Sequence, residues 1–185
     1  MKRGFKAEAE RRSLQFRKDM DLKYTDKLCG FELAEFLGVT VKIPSEIAGL
    51  EPYRLNNLLH NGKSEFSAVV LPSGNESFWI IHNPTHTPER QQSNICHELA
   101  HIICEHEFDS GNVQDLPLFL RDYNKLHEDE ANYLGGCLQL PRETLSWAIN
   151  KRMSKDDISS YYGASIEMVR YRINITGLNR KYARL

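Results

Sequence analysis

Apolar residues fall at two spacings along the chain, and the alternation between them outlines the elements. Residues 5–20, FKAEAERRSLQFRKDM, carry scattered apolar positions among charges and predict a charged amphipathic helix. A second helix is predicted from about Thr25 to Leu37, with Asp26 as its cap and Gly38 as its stop. VTVKI (39–43), closed by Pro44, reads as a strand. FSAVVL (66–71) and SFWII (77–81) are two further strand-like runs, and the turn-rich PSGNE between them predicts a hairpin. Helical spacing then returns. Thr87 followed by Pro88 is a good helix start, a capping hydroxyl and then proline at the first helical position. From there to about His106, Ile95, Leu99, Ile102 and Ile103 recur at i, i+4, i+7 and i+8, one buried stripe. EFDSGNVQDLP (107–117) reads as a loop, and a further helix is expected over about 119–139, ending before Pro141. The pattern predicts an α+β fold, in which a small twisted sheet from residues 39 to 81 is packed by two helices. N-terminal helices (1–38) and a C-terminal helical appendage (146–185) flank this core (39–145).

Composition narrows the classes without choosing among them. At 185 residues the chain is long enough for a sizeable core, and its formal net charge of −1 gives no global bias toward nucleic acid or an anionic membrane. No apolar stretch is long enough to span a bilayer. The charged start, MKRGFKAEAERR, lacks the apolar segment of a secretory signal, so a cytoplasmic protein is the expectation. Cys29, Cys96, Cys104 and Cys137 form no CxxC pair and are expected as reduced thiols.

Chemistry concentrates in NICHELAHII (94–103). His97 and His101 stand four apart on a helix, one above the other, on the side roughly opposite the apolar stripe. Two neutral imidazoles so placed can grip one zinc ion. Glu98 projects from the same broad side, where the HExxH pattern puts the general base that takes a proton from water activated by the ion. A catalytic zinc needs a third protein ligand and an open position. Glu128 is the best candidate. It shares a helix face with Ala131, Asn132 and Gly135, and the small residues there would let two helices approach closely. That gives Gly135 a reason to accept a helix cost of about 1 kcal/mol. Asn132, one turn on, is suited to holding the outer nitrogen of a ligand. Glu130, on another face, is the weaker alternative as third ligand. Cys104 is expected as a packed thiol, and His82, His106 and His127 are assigned to no metal. Tyr123, Tyr133, His127 and Arg90 are all candidates for a donor to the carbonyl oxygen, and the sequence does not choose among them.

HTPERQQSNICHELAHIICEH followed by EDEANYLGGCLQLP resembles the ImmA/IrrE family of small zinc metallopeptidases, which show an HELxH helix and then an ExxAN helix. The likeness extends upstream through FKAEAE and LAEFLGVTVKI and downstream into the C-terminal helices. The resemblance implies His97, His101 and Glu128 as zinc ligands and Glu98 as catalytic acid and base. It also implies a gluzincin-like core in which a strand edge, expected near SFWIIHN, receives an extended substrate. That substrate would be a specific protein partner, a helix-turn-helix transcriptional repressor. Leu134, Gly135-Gly136 and Gln139 depart from the usual residues of the second motif, and they touch packing more than chemistry.

The C-terminal stretch DDISSYYGASIEMVRYRINITGL (156–178) has helix-turn-helix spacing, with Gly163 at the turn, Ser165 as cap and Val169 and Ile173 inside. Arg170, Tyr171 and Arg172 would lie on its recognition helix, with Arg180, Lys181 and Arg184 beyond. This supports an alternative function, a DNA- or protein-binding regulator with a structural or vestigial metal site. Support of the core and clasping of the repressor are the competing roles for these helices, and DNA binding is not the favoured one.

Overall fold

A computed structural model describes residues 1–47, 66–74, 77–107 and 124–183. Within them lie eight α-helices and a mixed sheet of three strands. Helix α1 (Phe5–Asp19) follows the predicted span. It buries Ala9, Ser13 and Arg17 at i, i+4 and i+8, so two small side chains and a guanidinium line its inner face. Arg17 donates Nη1 to the Ser13 carbonyl (3.2 Å) and Nη2 to the Gln139 carbonyl (3.0 Å). Helix α2 is shorter than expected, Gly30–Phe36, and begins at Cys29 instead of Asp26. The Asp26 carboxylate turns back to accept from the Lys23 amide at 2.9 Å, closing a local turn, and Leu28 is buried in the core before the helix starts. Gly38, at φ 70°, supplies the expected left-handed stop.

The strands are β1 (Thr40–Lys42), β2 (Ala68–Gly74) and β3 (Ser77–His82). The hairpin forms as predicted, β2 antiparallel to β3 with Val70 opposite Ile80, and β1 runs parallel to β3 on its other side. The order is therefore β1-β3-β2. This corrects one expectation: SFWIIH is the central strand, its backbone is paired on both sides, and among the described residues the edges of the sheet are β1 and β2.

Helix α3 (Pro88–Ile103) carries the two histidines and α4 (Lys125–Gln139) carries Glu128. Side-chain caps start both: Thr87 accepts from the Arg90 amide and Asn124 from the Leu126 amide. Helix α3 lies against β2, β3, α2 and α4. Ile95 and Leu99 are fully buried and Ile102 and Ile103 pack at the margin, so the predicted stripe anchors the helix. The loop expected at 107–117, the first residues of the helix expected from 119, Tyr123, Arg184 and the tip of the hairpin lie outside the described residues, apart from Glu107.

The C-terminal segment folds as α5 (Arg142–Asn150), α6 (Lys155–Tyr162), α7 (Ile166–Ile175) and α8 (Asn179–Tyr182). These helices gather a second apolar cluster around Leu145, Ile149, Ile158, Tyr162 and Val169. Gly163 (φ 60°) and the Ser165 cap stand between α6 and α7 as the sequence predicts. Arg172 does not face outward. It is fully buried, giving Nε to the Leu140 carbonyl (2.8 Å) and Nη2 to Glu10 (2.7 Å). Glu10 also accepts from the Arg142 amide and the Tyr133 hydroxyl, so one carboxylate ties α1, α4, α5 and α7 together. No helix among the described residues is long and apolar enough to cross a membrane.

Candidate metal centre

His97 and His101 emerge from one side of α3, held by the apolar anchoring of the other. Helix α4 comes close enough to bring Glu128 to them because its contact face is stripped of side chains. A Cβ on Gly135 would stand 3.0 Å from both the Cys96 carbonyl oxygen and the His97 Cα. The two backbones thus touch directly beside the first histidine. Ala131, one turn earlier, is also fully buried.

The result is a triangle. The Nε2 atoms of His97 and His101 are 3.1 Å apart, and the Glu128 carboxylate lies 3.3 Å from each of them. Tetrahedral ligands on bonds of about 2.0–2.1 Å are separated by about 3.3–3.4 Å. Oε2 faces His97 and Oε1 faces His101, so the carboxylate straddles the pair, and both its approaches and the gap between the imidazoles are close to that spacing. The donor set, two imidazoles and a carboxylate, suits zinc, and these residues could hold a metal. Hydrogen bonding from His101 and then His97 holds the Glu128 carboxyl well below the usual carboxylate range, which keeps it ionised and available as a donor. His101 is almost wholly buried (3%), whereas the His97 and Glu128 side chains keep about a quarter of their surface (24% and 25%). Among the described residues the His97–Glu128 side of the group is therefore the more exposed one. Glu98, next to His97, is buried.

Glu130, the alternative third ligand, is taken elsewhere. It is buried with its carboxylate 3.4 Å from His106 Nε2, and His106 Nδ1 lies 3.0 Å from His101 Nδ1. Burial, and then the neighbouring His101, push His106 down to about 4, so its ring is neutral near neutral pH. The outer nitrogen of His101 is thus met by His106 and not by Asn132, which is exposed. Successive helix residues turn by about 100°, and that rotation carries Asn132 away from Ala131 to the solvent rim of α4. Sequence reasoning left His106 without a role. The signal was local but hidden. His106 is the second residue past the α3 cap, in a Schellman turn whose left-handed position is held by Glu105 (φ 55°), not by the glycine that would announce it.

Among the donor candidates, Tyr133 is buried and directed to Glu10, and His127 stacks on His106 with ring centroids 4.2 Å apart. Arg90 is exposed on the first turn of α3. Burial pushes the Cys104 thiol up to about 11, in keeping with a packed thiol, and all four cysteines are free. A cleft of about 600 Å³ lined by Arg142, Arg152, Arg180 and Lys181 lies among the C-terminal helices and contains none of the metal-centre residues. The site is a feature of the α3–α4 surface, not of that cleft.

No curated protein and no solved structure matches the chain at a level that supports comparison. A family model does match, that of the IrrE N-terminal-like domain of the M78 peptidases, over residues 67–174. The match begins just before β2, takes in both helices of the candidate centre and ends within α7, more than half of the sequence; the chain belongs to the ImmA/IrrE peptidase family.

Proposed function

We propose that this chain is a zinc-dependent endopeptidase that hydrolyses a peptide bond in a specific protein partner, a helix-turn-helix transcriptional repressor. The observation that carries the metal chemistry is the triangle of His97 Nε2, His101 Nε2 and the Glu128 carboxylate, with edges of 3.1–3.3 Å. Family membership supports the peptidase reaction and a protein substrate. When bound, a zinc ion supplies the Lewis acidity that makes a water acidic near neutral pH and polarises the scissile carbonyl. Glu98 takes the proton from the attacking water and delivers it to the departing amine, the acid–base role its position next to His97 suits. Glu128 stays ionised under the influence of the two histidines and balances the charge of the ion. An extended substrate segment would add to the outer edge of β2, the edge strand next to α3 among the described residues, with backbone hydrogen bonds giving affinity and alternate side chains giving selectivity. The burial of Arg172 weakens the DNA-reading alternative, since that side chain is committed to Leu140 and Glu10.

The test is cleavage of a candidate repressor by the purified full chain, with bound zinc measured in parallel. His97→Ala and His101→Ala should lose metal and activity together. Glu98→Gln should keep the metal and lose at least about 100-fold in turnover, since the amide cannot accept the proton. Cleavage by Glu98→Gln at the wild-type rate would refute this chemistry.

A further inference from the structure

We infer that His106 and Glu130 are positioning residues of the metal centre, holding the His101 ring in the single tautomer that can bind an ion through Nε2. The inference rests on the reading of His101 as a ligand and adds to it the apparatus that orients the ligand.

The argument is an account of protons. A neutral imidazole has one N–H, and Nε2 can donate its lone pair to a metal only if that proton sits on Nδ1. His101 Nδ1 is buried and faces His106 Nδ1 at 3.0 Å. Exactly one hydrogen fits between two nitrogens at that distance, so if His101 carries it, His106 accepts. The proton of His106 must then sit on its own Nε2, which faces Glu130 Oε2 at 3.4 Å. Glu130 is buried, and its other oxygen accepts the backbone N–H of Lys2 at 3.2 Å. Every link has a donor on one side and an acceptor on the other, and the direction of all of them follows from the metal end. The reversed arrangement, with the proton of His101 on Nε2, would put the proton of His106 on Nδ1 and leave the Glu130 carboxylate facing a bare ring nitrogen. Glu130 therefore favours the competent tautomer from two residues away, against Glu128, whose carboxylate faces the Nε2 of the metal-free ring at 3.3 Å.

The backbone builds the same contact. The His106 amide donates to the His101 carbonyl at 3.1 Å and the Glu105 amide to the Ile102 carbonyl at 3.0 Å, the paired bonds of a Schellman turn. That turn brings the second residue past the helix back over its last full turn. In most such turns the contact is apolar; here two imidazoles make it. The ring of His106 is further fixed by stacking on His127, with an interplanar angle of 7°.

The experiment uses the full chain, with zinc affinity measured by chelator competition and histidine tautomers read by long-range ¹H–¹⁵N NMR in the zinc-free and zinc-loaded protein. In the zinc-loaded wild type, His101 should show an Nδ1–H form and His106 an Nε2–H form. His106→Phe keeps the stacking ring but removes the acceptor, and should weaken zinc binding about 10–100-fold. Glu130→Leu should do the same. Glu130→Gln still offers an oxygen to His106 and should restore affinity to within a few-fold of wild type, a rescue that a merely structural role would not require. Should His106→Phe fold poorly, the wild-type tautomers and the Glu130 pair decide the matter. Wild-type affinity in both His106→Phe and Glu130→Leu, or an Nδ1–H form of His106 in the zinc-loaded wild type, overturns the inference while leaving the ligand assignment standing. Retention of zinc by His101→Ala overturns both.

Discussion

Gly135→Ala isolates the close approach on which the metal centre depends. Alanine is the better helix former by about 1 kcal/mol, so on propensity alone the change should stabilise α4. The space does not allow it. The new Cβ would meet the Cys96 carbonyl oxygen and the His97 Cα at 3.0 Å and the His97 nitrogen at 3.1 Å, where ordinary contact begins at 3.4 Å. All three are backbone atoms of α3, so no rotamer relieves them, and the helices must separate by about 0.4 Å (3.4 − 3.0). Overpacking of this kind costs about 1–3 kcal/mol, which after the propensity gain leaves a net loss of about 0–2 kcal/mol. The larger effect falls on the site. Glu128 rides on α4 and both histidines on α3, and a separation of about 0.4 Å is twice the ~0.2 Å tolerance of metal–ligand distances. Zinc affinity should therefore fall by about tenfold or more, out of proportion to the change in stability. Gly136→Ala is the comparison, because its Cβ would meet Arg172 Cδ and Met168 Sδ of α7, not the histidine helix. It should lower stability and leave zinc affinity within a few-fold of wild type. The assay is chelator competition beside urea unfolding of the metal-free protein. A Gly135→Ala chain that is more stable than wild type and binds zinc equally well would refute the reasoning.

Two further outcomes are expected from buried polar groups. Arg172→Met removes the donor to Leu140 and Glu10. It should lower unfolding stability by about 2–4 kcal/mol, below the full cost of breaking a buried pair because Glu10 keeps 19% exposure and two other donors, with much of the loss recovered in Arg172→Met/Glu10→Gln; urea midpoints check both. His82 is 5% exposed on β3, and its Nδ1 has no hydrogen-bond partner among the described residues. Burial lowers its pKa below the ordinary 6.5 despite opposition from the Asn83 backbone and then Glu46. The unfolded chain then binds the extra proton first, so stability is fully present above about pH 6.5 and declines as the pH falls below it, a direction to which the lowered His86 adds. Thermal midpoints of the wild type should drop between about pH 7.5 and about pH 5.5, and by less in His82→Gln; an equal drop in both would remove His82 from the explanation.

The helices that carry the candidate centre were legible because local signals and burial agreed. Thr87-Pro88 set the start of α3, and Ile95 and Leu99 did fall inside while the histidines faced the partner helix. Gly135 was readable as a contact because a glycine within a helical pattern calls for a reason, and the reason is a backbone on the other side. Three features were not legible. Helix α2 lost its first turn because the Asp26 carboxylate found the Lys23 amide behind it, a competition between equal local bonds that propensity does not settle. SFWIIH looked like an edge because it follows its hairpin partner in sequence, but β1, some 35 residues earlier, closes its other side through a parallel pairing that no local pattern announces. Asn132 was placed with Glu128 by spacing alone. The centre of the contact lies toward Ala131 and Leu138, and one step of rotation the other way is enough to reach solvent.

Arg172 shows how the same limit shapes the question of what the C-terminal helices do. In sequence it sits among Arg170 and Tyr171 as one of a cluster of residues ready for DNA. In the fold it is the bolt between two apolar clusters. Its guanidinium enters beside Gly136, where a Cβ would stand 2.7 Å from Arg172 Cδ, reaches the last carbonyl turn of α4 at Leu140, and ends on Glu10 of α1. The second glycine of the Gly135-Gly136 pair thus has its own explanation: Gly135 admits the histidine helix and Gly136 admits the arginine. Gln139 belongs to the same arrangement. It accepts from Ser93 of α3 through Oε1, donates Nε2 to the Gly135 carbonyl, and gives its backbone oxygen to Arg17, so the polar residue in an apolar stretch is satisfied at each atom. Gly135, Gly136 and Gln139 are therefore one coupled set. They bring α3, α1 and α7 onto α4 at successive turns, and they make the C-terminal helices part of what holds Glu128 in place. Deleting those helices would strip Glu10, Gly136 and Leu140 of their partner at once, so a truncated chain that lost activity would report on the frame of the metal centre before it reported on recognition of any partner. Exposed side chains such as Arg170 and Arg180, which the frame does not use, are where a role in binding can be separated from a role in folding.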